Sequence, residues 1–141
     1  MEKRNKIIYW VATGLFAAFM LMNAVVYIVQ NQMVSDMFRS LGYPVYIVYP
    51  LALAKVLGII AIVTRRSALL KEWAYAGFFF DFVLAAMGHL YAGDGGLIAP
   101  VVAIVILLVV RFYEQKVFGS TLQADQRAAN QANNQLNLNF N

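Results

Sequence analysis

Four long apolar runs, separated by short polar stretches, dominate the pattern of the chain. They cover residues 7–29, 45–63, 73–92 and 97–113. Each is close to the roughly 20 residues that a helix needs to cross the hydrocarbon core of a bilayer. A transmembrane β-barrel would instead show segments of about ten residues with alternating polarity. The pattern therefore predicts an all-α membrane protein, with four transmembrane helices in an antiparallel bundle.

Composition agrees with this prediction and excludes other classes of protein. Hydrophobic residues make up 62% of the 141 residues and charged residues 13%, against about 45–50% and 25% in soluble domains. A soluble chain of this length could not bury so much apolar surface, so a soluble enzyme and a disordered regulator are both excluded. The absence of cysteine excludes a disulfide-stapled secreted domain.

The segments outside the apolar runs are a short basic N-terminus (1–6), a loop (30–44) and a polar tail (114–141). In the loop, apolar side chains recur at helical spacing (Met33, Met37, Phe38 and Leu41). This spacing predicts either a short helix lying on the membrane surface or one packed on the bundle. The Asn/Gln-rich tail is expected to be at least partly disordered, with a helix over Ala124–Gln135.

Basic residues are distributed unevenly between the two ends of the predicted bundle. Most Lys and Arg side chains lie at the N-terminus, between the second and third runs, and after the fourth run, whereas the other two loops contain only Arg39. Positive charge favours the cytoplasmic side, so both termini are predicted to be cytoplasmic. Membrane topology thus explains the net charge of +4, and no nucleic-acid partner is expected.

Two opposite charges, Lys55 and Asp81, lie inside the predicted helices. Counted at 1.5 Å per residue from the cytoplasmic ends of their runs, each is about 12 Å deep. We therefore predict an ion pair between them. A charge at this depth is costly, so the pair has a structural or functional reason. It can fix the register of two helices, handle protons in catalysis, or bind a ligand, and the sequence leaves these alternatives open.

A second polar group is predicted nearer the outer surface. Asn23 and His89 each lie about 24 Å above the inner ends of their helices. With Tyr27, Tyr46 and Tyr49 they form a candidate pocket that opens outward. His89 is the only histidine, and an imidazole can carry protons near neutral pH. The alternative is that His89 is simply a hydrogen-bonded packing residue.

Ligands for metals and redox cofactors are scarce in this chain. One histidine and no cysteine argue against a metal site and against a haem held by two histidines of one chain. No cofactor is evident from the sequence, although a quinone or a lipid remains a possible ligand.

Several short motifs resemble the DoxX-like family. They are Lys55–Gly58, Leu70–Gly77 (LKEWAYAG), Phe80–Asp81, His89 and Gly93–Asp94. The resemblance covers about residues 7–113 and implies a small bacterial four-helix protein of the cytoplasmic membrane. It marks the following positions as family-motif residues: Lys55, Glu72, Trp73, Asp81, His89 and Asp94. The family is named after the small membrane subunit of an archaeal thiosulfate:quinone oxidoreductase.

The resemblance favours an accessory or scaffold subunit of a membrane complex over an enzyme that acts alone, and a quinone-linked redox complex is one candidate. Such a subunit would have a membrane-protein partner or form a homo-oligomer in the lipid bilayer. The alternative is a protein that binds a lipid or a quinone-like small ligand. A proton-coupled carrier is less favoured, because four helices without an inverted repeat are unusual for a transporter.

Overall fold

In a computed structural model, residues 2–139 are described, with side chains for residues 2–119 and 127–136. The helices are α1 (Glu2–Val29), α2 (Asn31–Ser40), α3 (Val48–Thr64), α4 (Ala68–Ala92), α5 (Ile98–Glu114) and α6 (Ser120–Asn139). A 3₁₀ turn, Val45–Ile47, precedes α3, and a π-helical segment, Gln115–Gly119, joins α5 to α6.

Within residues 2–139, four helical segments are long and apolar enough to cross a membrane: Glu2–Val29, Val45–Thr64, Ala68–Ala92 and Ile98–Gly119. Helices α1 and α4 each pack against both α3 and α5, so the four form a ring in cross-section. Short connections make α3, α4 and α5 antiparallel in succession, whereas α1 is joined to α3 through α2. The chain is thus an all-α four-helix membrane bundle, as its apolar pattern predicts.

Aromatic and aliphatic side chains fill the centre of the bundle. The main cluster contains Tyr9, Phe16, Met20, Ile59, Ile62, Tyr75, Phe78, Phe82, Ala103, Leu107 and Val110. Many other large apolar side chains, such as Leu15, Leu53 and Leu90, point outward and are exposed. In a bilayer these side chains face lipid, which explains how so short a chain can be so apolar.

Helix α2 packs on the bundle and covers one of its ends. Val34 and Phe38 are buried in a cluster with Tyr27 of α1 and Val48 of α3. Met33 and Met37, on the other side of α2, are exposed. The loop predicted over 30–44 thus contains a helix that packs on the bundle and leaves one apolar edge exposed. We call this the α2 end of the bundle, and we call the opposite end, which carries the α3–α4 connection (65–67), the basic end.

Several helices are longer than the apolar runs that predict them. Helix α1 begins at Glu2 and includes the basic residues of the predicted N-terminal segment. Helix α4 begins at Ala68, where the Ser67 Oγ accepts a hydrogen bond from the Leu70 N–H (3.3 Å). Charged residues are good helix formers, so a helix can continue past the apolar run. The tail, expected to be partly disordered, is helical to Asn139, and residues 140–141 lie outside the described residues.

Candidate functional site

A lysine and an aspartate meet between α3 and α4, inside the bundle. Lys55 Nζ lies 2.5 Å from Asp81 Oδ2, and the two side chains are 5% and 14% exposed. The Tyr27 ring of α1 also faces the ammonium group, with Nζ 5.0 Å from its centroid. A cation over an aromatic face is attracted by the negative charge of the ring. Lys55 thus contacts a carboxylate on one helix and an aromatic ring on another.

Glycines allow α3 and α4 to approach each other near this pair. A Cβ on Gly58 would lie 2.8 Å from the Phe78 ring, so the ring occupies space that only glycine leaves free. At Gly77, in contrast, no atom lies within 4 Å of the position of a Cβ. The Phe78 ring of α4 therefore packs directly on α3 at Gly58, whereas the space beside Gly77 is open.

The attraction within the pair is large enough to offset much of the cost of burying it. Each charge costs about 2.5–3.5 kcal/mol at the centre of a helix on insertion scales. Two unit charges about 4 Å apart attract by about 4 kcal/mol at an effective dielectric constant of 20. The pair is tolerated, but it gives the protein little net stability.

A central cavity of about 380 Å³ lies at the α2 end, directly beside the ion pair. Its polar lining comes from Asn23, Tyr27, Tyr43, Lys55, Asp81 and His89. Apolar side chains from α1, α2, α4 and α5 form the rest of the wall, among them Met20, Phe38, Phe82 and Pro100. Asn23 Oδ1 is buried and accepts no hydrogen bond from the described residues. The cavity thus combines an apolar wall with a few convergent polar groups, which is typical of small-molecule sites.

Two tyrosines predicted to join this pocket lie outside it. Tyr46 and Tyr49 are 79% and 58% exposed and do not line the cavity. The prediction compared heights along the helices and not directions around them. Tyr49 lies six residues before Lys55, so it points about 120° away from Lys55 around the helix. Tyr43 lines the cavity instead and donates a hydrogen bond to the Leu84 carbonyl (2.6 Å).

His89 is held by Asp94 at the rim of the central cavity. Its Nδ1 lies 2.8 Å from Asp94 Oδ1, which also accepts a hydrogen bond from the Gly96 N–H (2.8 Å). The Gly96 N–H, and after it the His89 ring, lower the pKa of the Asp94 carboxyl below its ordinary value, because both stabilise its charged form. A carboxylate can only accept, so Nδ1 carries the proton and Nε2 of the neutral ring is free to accept one.

A lateral groove of about 660 Å³ runs between α3 and α4 on the other side of the ion pair. Small residues make room for it: Ala54, Gly58, Ala61, Ala74 and Gly77. Lys55 and Asp81 line both this groove and the central cavity. The ion pair therefore forms part of the wall between the two spaces.

The remaining family-motif positions lie at the basic end. Glu72 pairs with Arg111 of α5 (2.9 Å), and the exposed Trp73 ring lines the lateral groove. Neither reaches the central cavity. Among the described residues, no group of three His, Asp or Glu side chains is placed to hold a metal ion.

Sequence reasoning missed Glu114, which it assigned to the polar tail. The side chain is 2% exposed, and its carboxylate lies 2.6 Å from Lys71 Nζ and 2.8 Å from Arg111 Nη1. Arg65 Nε is 3.7 Å away. A signal was present, because the buried positions of α5 (Pro100, Ala103, Leu107, Val110 and Glu114) recur every three or four residues. Glu114 continues that buried face.

Comparison with known proteins identifies the family. A model of the DoxX-like family matches residues 11–111. The chain belongs to the DoxX-like family. The match includes the ion pair, His89 and Asp94, and it ends at Arg111, just before Glu114 and the tail. No curated protein and no solved structure matches the chain significantly.

Proposed function

We propose that this DoxX-like protein binds a small lipid-soluble ligand with oxygen groups, of the quinone type, in its central cavity. The observation that carries the proposal is a mostly apolar cavity of about 380 Å³ with a buried ion pair, a carboxamide and an imidazole in its wall. The apolar wall suits a ring or chain that partitions into the bilayer, and the polar groups suit carbonyl or hydroxyl oxygens.

Each polar group has a distinct role in this proposal. Lys55 donates to a ligand oxygen while it remains in contact with Asp81. The Asn23 side chain supplies a further polar contact. His89, oriented by Asp94, accepts a proton from a ligand hydroxyl, or returns one, through Nε2 at the outer rim.

The test is equilibrium binding of decylubiquinone, a short-chain quinone, to the purified protein in detergent. We expect Asn23→Leu and His89→Leu to weaken binding about fivefold to tenfold each, because each removes a polar contact inside an apolar cavity. Tyr49→Phe is the matched control, since this side chain lies outside the cavity, and it should bind like the wild type. Equal affinities for all four proteins would contradict the proposal.

We further propose that the protein acts as an accessory subunit of a membrane complex. This is favoured by the lack of cysteine and the single histidine, which leave no ligands for an iron–sulfur cluster or a bis-histidine haem. Electrons for a bound quinone would therefore come from a partner chain. Affinity capture in mild detergent should recover a stoichiometric partner. A partner-free homo-oligomer would contradict the accessory role.

The proposed orientation places both termini in the cytoplasm and α2 on the outer side of a bacterial cytoplasmic membrane. It rests on the basic residues at the basic end. Because the chain has no cysteine, single introduced cysteines can report the orientation. A membrane-impermeant thiol reagent added outside should label Gln32→Cys and leave Arg66→Cys unlabelled in intact cells. The reverse pattern would contradict the orientation.

A further inference from the structure

The lateral groove between α3 and α4 has a polar feature at each end. Beside the ion pair it borders Lys55 and Asp81, and at the basic end it borders Arg66 and Ser67. From Lys55 to the end of α3 at Thr64 the helix rises about 14 Å. This length is about half of the roughly 30 Å hydrocarbon core, the depth of one leaflet.

The lining between these ends is almost wholly apolar, and it is open to the surrounding bilayer. Leu57 and Ile60 of α3 and Leu70 and Trp73 of α4 line it and are exposed. The space beside Gly77, where no atom would meet a Cβ, belongs to the same groove. An acyl chain can therefore enter from the side and lie along the groove.

The charged side chains at the basic end indicate which kind of lipid headgroup the groove would bind. Glu114 contacts both Arg65 and Lys71, and Glu72 contacts Arg111. Among the described side chains, no carboxylate lies within 4.0 Å of Arg66, which is exposed at the groove. The side chains of the basic end include more basic than acidic groups, so the electrostatic potential there is positive. A basic groove end at the membrane surface suits an anionic lipid headgroup.

We propose that the lateral groove is a binding site for one anionic phospholipid of the surrounding bilayer. Its phosphate contacts Arg66, and one acyl chain fills the groove as far as the ion pair. The site is separate from the central cavity, and the proposal does not rest on quinone binding there.

The test is native mass spectrometry of protein released from nanodiscs that contain equal amounts of phosphatidylglycerol and phosphatidylcholine. The wild type should retain one phosphatidylglycerol in about fivefold preference. Arg66→Gln should lower this preference to about one. Arg4→Gln, a matched loss of an exposed charge elsewhere, should leave it unchanged. Equal retention of the two lipids by the wild type, or an unchanged preference in Arg66→Gln, would overturn the proposal.

A second pair of variants tests whether an acyl chain lies in the groove. Ala54 is exposed and lines the groove, whereas its neighbour Leu53 is exposed and does not. Ala54→Phe should reduce retention of both lipids severalfold, and Leu53→Phe should not. Decylubiquinone binding should persist in Arg66→Gln, so failure of this proposal is distinguishable from failure of the proposed function.

The competing occupant is a second copy of the chain. Because the wild type has no cysteine, Ala54→Cys introduces a single thiol in the groove. Under the lipid proposal, oxidation in nanodiscs gives no disulfide-linked dimer. Efficient formation of a dimer would place a second copy at the groove and overturn the lipid assignment.

Discussion

Two groups of buried charges lie at different levels of the bundle and differ in how completely they are paired. At the basic end, the Glu114 carboxylate contacts Arg65 of the α3–α4 connection, Lys71 of α4 and Arg111 of α5. Deeper in the bundle, Lys55 contacts one carboxylate among the described side chains, that of Asp81. Glu114 lines neither the central cavity nor the lateral groove, whereas Lys55 and Asp81 line both.

This difference separates a structural role from a binding role. Glu114 joins the α3–α4 connection to α5, and its oxygens are occupied by protein cations. The Lys55–Asp81 pair joins two helices as well, but it faces open space on both sides. Removing one member of a buried charge cluster that the protein itself surrounds is strongly destabilising, whereas buried charges beside a cavity are available to a ligand.

The largest expected effect is on stability, from the change Glu114→Gln. Removing this carboxylate leaves Arg65, Lys71 and Arg111 close together with less compensation, so we expect a loss of about 3–5 kcal/mol. Thermal unfolding in detergent measures it. Glu72→Gln is the control: Glu72 is half exposed and should cost about 1 kcal/mol or less. Similar losses in the two variants would contradict a central role for Glu114.

The ion pair should respond differently to single and double changes. Lys55→Met alone leaves the Asp81 charge uncompensated, and we expect a loss of about 3 kcal/mol and lower expression. The double change Lys55→Met/Asp81→Leu removes both charges and should restore most of that stability. A harmless single change, or a double variant no more stable than the single one, would mean that the pair is not coupled.

The smallest expected effect concerns the turn after α4. A carboxylate whose pKa is lowered by folding stabilises the folded state above its unfolded pKa, and this contribution is lost as the pH falls through the folded pKa. Hydrogen exchange should therefore show the Gly96 N–H protected until the pH falls below the ordinary aspartate value of 3.8. The Gly93 N–H, which donates to the His89 carbonyl (2.9 Å), is the control. Loss of Gly96 protection well above pH 4 would contradict this role of Asp94.

The matching level of Lys55 and Asp81 along their helices was predictable from the sequence. Counting along the apolar runs put Lys55 and Asp81 at the same height, and in the structure their charged atoms are 2.5 Å apart. Counting residues from the end of the apolar run places Asp81 level with Lys55 although α4 begins at Ala68 rather than at residue 73. The reason is that the additional turn of α4 lies outside the apolar run. Helix number and the position of α2 followed from the same periodicity.

Direction around a helix was harder to predict. Tyr46 and Tyr49 point away from the cavity: Tyr46 lies in the 3₁₀ turn before α3, and Tyr49 lies about 120° around α3 from Lys55. Glu114 was missed because its partners Arg65 and Lys71 are distant in sequence and are brought to it only by tertiary packing. The lateral groove depends on the spacing between α3 and α4, which no local pattern specifies.

The most direct test of the central claim is decylubiquinone binding by the folded double variant Lys55→Met/Asp81→Leu. If the ion pair binds the ligand, the dissociation constant should rise at least tenfold, the equivalent of about 1.4 kcal/mol, while thermal stability stays near that of the wild type. A double variant that is folded and binds the quinone with unchanged affinity would show that the pair only holds α3 and α4 together.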